Sequence, residues 1–128
     1  MEMRDAIEAD AGRLASLTDA PRDVMRNLVH DRTVRVIEAD GNIRGFVSYD
    51  ARQDTVYITQ LEGDSEVYPT LLEEPVRFAR TEEMAVELLV PDDKPEMREA
   101  AMDTGFVETG GGPQFDGEPT TRYRIESA

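Results

Sequence analysis

An α/β (α+β) fold with a mixed, mostly antiparallel central sheet of about six to seven strands and about four flanking helices is predicted by this sequence. Short segments rich in β-branched residues alternate apolar and polar side chains, which indicates strands. Between them the apolar residues recur at helical spacing. The length of 128 residues favours a single domain, 1–128, whose core can be stable without disulfides.

The N-terminal region is predicted to contain one strand and two helices. Residues 2–7 form a plausible short strand, and Leu14 and Leu17 indicate a helix after Asp10. Pro21 suits the first turn of a second helix. The apolar face of that second helix is predicted to consist of four residues: Val24, Met25, Leu28 and Val29.

An antiparallel meander of three strands is predicted next. Residues 33–39 are rich in β-branched side chains, and Asp40-Gly41-Asn42 is a hairpin signal because Gly and Asn tolerate positive φ. The return strand spans residues 42–49, and a turn at 51–54 leads to a third strand at 55–61. One face of the return strand is predicted to carry four residues: Ile43, Gly45, Val47 and Tyr49.

The C-terminal region is predicted to alternate helices and strands. A helical segment, a strand, a second helix and two more strands are expected, with the strands at residues 84–90, 106–109 and 121–125. Pro75 is expected to kink the first of these helices. Asp92 or Asp93 is expected to cap the second helix, which ends at Gly105. Residues 110–113 are predicted to form a flexible loop.

The composition is strongly acidic. The chain has 28 acidic and 14 basic residues, a formal net charge of -14 and no cysteine, which excludes disulfides and thiolate metal sites. Such a surface repels phosphate backbones and anionic lipid, so nucleic-acid and membrane partners are not expected. The composition is typical of cytosolic proteins adapted to molar salt, where charge repulsion is screened. A cytoplasmic location is expected, since no signal peptide or membrane-spanning run is found.

The predicted element order over essentially the whole chain resembles the GNAT superfamily of N-acyltransferases. Three segments carry the local resemblance. Met3-Arg4-Asp5-Ala6-Ile7-Glu8-Ala9-Asp10 is similar to the family's first strand and helix start. Asp40-Gly41-Asn42-Ile43-Arg44-Gly45-Phe46-Val47 is similar to its hairpin between strands two and three. Ala100-Ala101-Met102-Asp103-Thr104-Gly105-Phe106 is similar to the helix that ends in Gly-Phe before strand six.

The resemblance implies transfer of an acetyl or other acyl group from acyl-CoA to an amine of a small molecule or a protein. In the family, strand four splays from strand five, the pantetheine arm lies in the gap, and backbone N–H groups of a glycine-rich loop bind the pyrophosphate. The backbone positions that this implies here, at the end of strand four and in the following loop, are Gln60, Leu61, Gly63, Asp64, Ser65 and Glu66.

The chain departs from the family pattern at its functional positions. The family's glycines fall near Asp64, Glu66 and Tyr68, so two carboxylates stand where a pyrophosphate would bind. The tyrosine that often protonates the departing thiolate corresponds to Ala101, and an asparagine of the same helix corresponds to Lys94. The remaining candidate for the general base is Glu62, whose alternative interpretation is a solvated loop acid.

These departures leave two other functions open. The scaffold could be a non-catalytic binding or regulatory module, whose gap is filled by side chains, by a peptide or across a homodimer. Alternatively, the acidic cleft could bind a basic ligand such as a polyamine or a protein terminus. Tyr68 could plug the cofactor groove. Arg122 and Arg124 could bind an anion, although ion pairs with the abundant acids are favoured.

His30, the single histidine, is expected to have a surface or helix-end role rather than a catalytic one. The sequence offers no partners with which it could bind a metal, so no metal site is predicted.

Overall fold

The computed structural model describes residues 1–114 and 117–127. Its strands are β1 (Glu2–Asp5), β2 (Thr33–Ala39), β3 (Asn42–Arg52), β4 (Thr55–Gly63), β5 (Ala85–Pro91), β6 (Val107–Gly111) and β7 (Thr120–Ile125). Its helices are α1 (Ala11–Thr18), α2 (Arg22–Asp31), α3 (Tyr68–Thr81) and α4 (Pro95–Thr104), with short 3-10 turns at Glu8–Asp10 and Ser65–Val67. The predicted fold class is confirmed.

The strands form one sheet in the order β1-β2-β3-β4-β5-β7-β6. Neighbouring strands run antiparallel except β4 and β5, which are parallel and are connected through α3. A parallel pair needs a crossover connection, and α3 supplies it. The sheet therefore joins an N-terminal meander to a C-terminal antiparallel group at this single parallel contact among the described strands.

Apolar side chains form a separate buried cluster on each face of the sheet. The larger cluster joins the sheet to α3 and α4, with Leu71, Leu72 and Ala101 fully buried. The smaller cluster joins the sheet to α1 and α2 through Leu14 and Met25. No helix within residues 1–114 and 117–127 is long and apolar enough to cross a membrane.

A β-bulge at Arg44 corrects the predicted face of the return strand. Ile37 lies opposite Gly45 and Glu38 lies opposite Ile43, so Arg44 is an extra residue without a partner on β2. An extra residue shifts the alternation of side chains by one position. Ile43 therefore packs in the cluster under α1 and α2, while Val47 lies in the cluster on the other face.

Two predictions about the helices are wrong: one concerns the apolar face of α2, and the other concerns the N-cap of α4. In α2, Met25 is buried but Val24 is 48% exposed, so Val24 lies outside the apolar face. The N-cap of α4 is Lys94, without a side-chain capping bond, rather than Asp92 or Asp93. The Asp92 carboxylate is used elsewhere, because it accepts a hydrogen bond from the Thr121 hydroxyl at 2.9 Å.

Other boundaries differ from the sequence prediction because hydrogen bonding extends the strands. β3 continues to Arg52, so the following turn contains only Gln53 and Asp54. β6 continues through Gly110 and Gly111, which pair with β7 and are not a loop. Helix α3 continues through Pro75, and the kink expected at this residue stays a prediction.

Candidate functional site

The parallel strands β4 and β5 pair along only part of their length. Residues 55–58 of β4 pair with residues 85–88 of β5, and the pairing ends there although both strands continue. A cavity of about 360 Å³ lies where they diverge. Its walls include strand residues on both sides and one residue of α4: Arg52, Tyr57, Ile58, Thr59, Gln60, Leu61, Glu62, Glu87, Leu88, Leu89, Pro91 and Met97.

A second β-bulge, at Thr59, explains the divergence. Ser48 of β3 lies opposite Gln60, and Tyr49 lies opposite Ile58, so Thr59 is an extra residue in β4. Its hydroxyl lies 2.6 Å from the hydroxyl of the buried Ser48. A bulge bends the strand that carries it. Because β4 keeps its pairing to β3 on both sides of the bulge, the bend separates it from β5.

Beyond the bulge, alternate backbone groups of β4 face the cavity. The Asp64 amide donates to the Arg44 carbonyl oxygen at 3.0 Å, and the Glu62 carbonyl oxygen lies close to Gly45 on the same side. In an antiparallel ladder the hydrogen-bonding direction alternates from one residue to the next. The N–H and C=O groups of Leu61 and Gly63 therefore face away from β3, towards the space that β5 has left.

Two glycines let β3 and the end of β4 approach closely. Gly63 has φ of +116°, and a Cβ there would lie 2.3 Å from the Arg44 carbonyl oxygen. A Cβ at Gly45, its partner in the ladder, would lie 2.7 Å from the Glu62 carbonyl oxygen. Only glycine avoids both the steric overlap and the unfavourable φ at position 63. This close contact fixes the course of the chain into α3.

The loop after β4 presents amides at the start of a helical segment. The first intrahelical bond runs from the Val67 amide to the Asp64 carbonyl oxygen at 3.1 Å. The amides of Ser65 and Glu66 precede that bond and have no acceptor within the helix. Such amides, together with the helix dipole, favour an anion. The Asp64 amide is already bonded to β3, so it contributes less than its neighbours.

Arg44 draws the acidic side chains of this loop towards β3. Its Nε lies 2.5 Å from Asp64 Oδ2, and its terminal nitrogen lies 3.9 Å from Glu66 Oε2. The hydrogen bond that Arg44 donates to Asp64 is the main reason that the pKa of the Arg44 guanidinium is raised. The bulge at Arg44 brings this side chain to the loop. The two carboxylates are thus partly neutralised by one cation, which the sequence prediction did not include.

Glu62 lies at the wall of the cavity with a perturbed carboxyl group. Burial raises the pKa of the Glu62 carboxyl above its ordinary value, and the positive charge of Lys94 offsets part of this increase. Among the described residues, no cation lies within 4.0 Å of its carboxylate, whereas the nearby carboxylates of Asp64 and Glu87 each form an ion pair with an arginine. The Glu62 carboxylate is therefore free of an ion pair and can accept a proton or a hydrogen bond from a bound ligand.

The positions near the start of α3 and in α4 hold no obvious proton donor for the cavity. Ala101 is fully buried in the core, so the methyl group there packs and cannot donate a proton. Tyr68 belongs to the same cluster and is 9% exposed. Burial, followed by the carboxylates of Glu62 and Glu96, raises the pKa of the Tyr68 phenol. Tyr68 does not line the cavity between β4 and β5.

The other residues considered from sequence lie outside this cavity. His30 is on the surface of α2, 3.7 Å from a Glu8 carboxylate oxygen. Arg122 and Arg124 both form ion pairs with Glu87, as favoured from the sequence. Within residues 1–114 and 117–127, no three His, Cys, Asp or Glu side chains are grouped so that they could hold a metal ion.

Sequence reasoning missed three contributors to the site. Arg44 reaches the loop only because of its bulge, and Ser48 supports the bulge at Thr59. The side chain of Gln60 lines the cavity, whereas only its backbone was considered from the sequence. Gly45, which lies inside the predicted strand and next to Arg44, is a signal that could have indicated the first bulge, whereas no Gly or Pro marks the bulge at Thr59.

A mixed sheet that opens between two parallel strands, with a helix N-terminus at the opening, has the architecture of the GNAT acetyltransferases, and solved structures of that class match it over almost the whole chain. A ribosomal-protein-alanine N-acetyltransferase from Brucella melitensis superposes with a TM-score of 0.81 at 17% identity, covering 98% of this chain and 99% of the other. A variant of the spermidine N-acetyltransferase from Vibrio cholerae gives 0.79 at 17% identity, covering 98% and 95%.

A protein of Desulfovibrio desulfuricans described as a GNAT-family acetyltransferase gives a TM-score of 0.77 at 18% identity, covering 99% of both chains. At the level of sequence, no protein-family model and no curated protein matches this chain. The chain therefore has the GNAT fold with a sequence far from those of its structural neighbours.

Proposed function

We propose that this protein is an N-acyltransferase that transfers an acetyl or other acyl group from acyl-CoA to an amine. The observation that carries the proposal is the open stretch of β4 beyond Ile58, where Leu61 lines the cavity and the backbone groups of Leu61 and Gly63 have no partner on β5. An extended molecule with amide groups can pair there as a missing strand would. The structural neighbours include enzymes that acetylate spermidine and a ribosomal protein, which supports an amine acceptor.

The residues present fit an acyl-CoA molecule at two places. Leu61 and Gly63 offer backbone partners for the pantetheine arm, and the amides of Ser65 and Glu66 offer donors for the pyrophosphate. The ion pair between Arg44 and Asp64 lowers the local negative charge that would oppose the phosphates. Acyl-CoA, when bound, supplies an activated acyl group as a thioester.

Glu62 is proposed as the general base. An amine is protonated at neutral pH and must lose a proton before it can act as a nucleophile. The raised pKa of the Glu62 carboxyl is closer to the pKa of the ammonium group whose proton it must accept, and this smaller difference favours proton transfer. Ala101 offers no proton, so the protonation of the departing thiolate is left to water.

Binding and transfer should be tested separately, in buffer of molar salt. Differential scanning fluorimetry and calorimetry with acetyl-CoA measure binding, and release of free thiol in the presence of an amine panel measures transfer. The proposal predicts an increase in melting temperature with acetyl-CoA and thiol release that requires an amine. The proposal is rejected if millimolar acetyl-CoA produces no heat of binding and no change in melting temperature.

A non-catalytic binding module on the same fold is the second candidate. It is favoured by the buried methyl group of Ala101 and by the packing of Tyr68 in the core at the start of α3. This candidate predicts that no amine is acylated even when acetyl-CoA binds. Saturable binding together with transfer to any amine would exclude it.

The acidic composition suggests a cytoplasmic protein adapted to high salt. At a net charge of -14, repulsion between carboxylates destabilises the folded state in dilute buffer. Molar salt screens this repulsion, because it shortens the Debye length to about 3 Å. The free energy of unfolding should therefore rise from dilute buffer to molar potassium chloride. Equal or greater stability in dilute buffer would contradict adaptation to salt.

A further inference from the structure

Two buried side-chain oxygens have no hydrogen-bond partner among the described residues: Asp50 Oδ1 and Gln60 Oε1. A buried acceptor left without a donor costs about 1–3 kcal/mol, so such atoms are rare in folded proteins. Both oxygens accept hydrogen bonds, and no described residue donates to them, so water or a bound ligand can supply the donor.

The two side chains lie on the same face of the β3–β4 pair. Residues directly opposite each other in an antiparallel ladder share a face. Gln60 lies opposite Ser48, Glu62 lies opposite Phe46, and Asp50 is two residues from Ser48 along β3. This is the face on which Phe46 packs against α1 and α2. Gln60 and Glu62 thus point to one side of β4, and both line the cavity.

The spacing of these two cavity residues sets a length for the ligand. The Cα atoms of residues two apart on a strand are separated by about 6.6 Å, and side chains on the same face leave the strand at this spacing. If Glu62 takes the proton from the reacting nitrogen, a donor that satisfies Gln60 belongs to a second group a similar distance away. An extended 1,4-diaminobutane unit places its two nitrogens about that far apart. Asp50 does not line the cavity, and Arg32 holds its other oxygen at 2.6 Å, so the inference depends on Gln60.

We propose that Gln60 is a specificity-determining residue that accepts a hydrogen bond from the second amino group of a diamine acceptor. The proposal deepens the proposed function and rests on it for the role of Glu62. The ligand class is an amine with a second N–H donor about four carbons from the reacting nitrogen. Gln60 selects it over a monoamine because the diamine brings a second N–H donor to this acceptor and the monoamine does not.

The matched test uses Gln60→Met, which keeps the size of the side chain and the net charge but removes the acceptor. Gln114→Met, at an exposed glutamine outside the cavity, is the control. Melting temperature and calorimetric affinity are measured for 1,4-diaminobutane and for butylamine, in molar salt, with and without CoA. Nonspecific attraction of cations to the acidic surface is the same in all three proteins.

Wild type should bind the diamine more tightly than butylamine. Gln60→Met should raise the melting temperature of the ligand-free protein and weaken diamine binding about tenfold or more, with butylamine affected little. Gln114→Met should match wild type.

The proposal is overturned if wild type shows no preference for the diamine, or if Gln60→Met keeps the preference. It is also overturned if the variant melts at a lower temperature without ligand, since an internal water then already satisfies Gln60. Loss of acetyl-CoA stabilisation with unchanged diamine binding would instead place Gln60 at the cofactor. Failure of the acyltransferase proposal is recognised separately, as diamine selectivity without acetyl-CoA binding or thiol release.

Discussion

The two halves of the β4–β5 pair are built from the same two strands, yet one is closed and the other is open. In the closed half, residues 55–58 pair with 85–88, and Val56 and Val86 are fully buried opposite each other. In the open half, residues 59–63 have no partner on β5, and polar side chains of Gln60 and Glu62 line a cavity. Thr59 marks the boundary between the halves.

The difference shows how one inserted residue can open a cavity between two strands of a sheet. The closed half is stabilised by burial of four apolar side chains in the cluster under α3 and α4: Val56, Ile58, Val86 and Leu88. In the open half Leu61 remains in that cluster, but the backbone groups of β4 have no partner on β5 and are available to a ligand. Substitutions in the two halves should therefore change different quantities. Those in the closed half should lower the free energy of unfolding, and those in the open half should weaken ligand binding and catalysis.

The largest effect is expected for Glu62→Gln in the open half. Removal of a general base should lower kcat by about a hundredfold to ten-thousandfold while leaving the fold intact. In wild type, kcat/KM should fall as the pH falls through the pKa of Glu62, which lies above the ordinary 4.5, because only the carboxylate accepts a proton. Steady-state kinetics across pH test both points. Glu73→Gln on the exposed side of α3 should retain wild-type activity, and an unchanged acid limb in Glu62→Gln would contradict the assignment.

Gly63→Ala should destabilise the protein most among single small changes in β4. The added Cβ would meet the Arg44 carbonyl oxygen at 2.3 Å and would impose a φ of +116° on a non-glycine residue. A loss of about 3 kcal/mol in the free energy of unfolding is expected from denaturant titration. Gly111→Ala, where a Cβ meets nothing within 4 Å, is the matched control. Equal effects of the two changes would contradict the close approach of β3 and β4.

Val56→Ala tests the closed half. Removing two buried methyl groups should cost about 2 kcal/mol in the free energy of unfolding. Val107→Ala in β6, where the side chain is 65% exposed, should change it by less than about 0.5 kcal/mol. Acetyl-CoA affinity, corrected for stability, should be the same in both variants, and a selective loss of affinity in Val56→Ala would remove the distinction between the halves.

Arg44→Gln should have the smallest effect. The variant frees the carboxylates of Asp64 and Glu66 from their shared cation, so acetyl-CoA should bind several-fold more weakly in dilute buffer and nearly normally in molar salt. Arg80→Gln, at an exposed arginine of α3, is the control for the loss of one positive charge. Calorimetry at two salt concentrations measures the difference. Identical losses in both variants would show that only net charge matters.

Much of the fold could be predicted from the sequence because its elements have regular periods. The alternation in residues 33–39 and 84–90 and the helical spacing of Leu71, Leu72 and Val76 gave the element order and the main core. The bulge at Thr59 could not be predicted, and Gly45 beside the bulge at Arg44 was interpreted only as one position of a regular strand. A bulge depends on the partner strand, as Thr59 depends on Ser48, and leaves no periodic signal of its own.

The candidate site was predictable only in part for the same reason. Glu62 and the loop residues Gly63–Glu66 could be proposed from the family resemblance, and in the structure Glu62 lines the cavity while the loop residues follow it directly in the chain. The ion pair of Arg44 with Asp64 joins residues twenty positions apart through a shifted register. The exposure of Val24 and the Lys94 cap likewise depend on tertiary packing that overrides local preference.

Amide hydrogen exchange measured with and without acetyl-CoA tests most directly whether the open half of β4 is a cofactor-binding edge. The amides of Leu61 and Gly63 should exchange quickly in the free protein and become protected when acetyl-CoA is added, together with those of Ser65 and Glu66. The amides of the closed half should be protected in both states. Slow exchange at Leu61 and Gly63 in the free protein, or no change at saturating acetyl-CoA, would contradict the account.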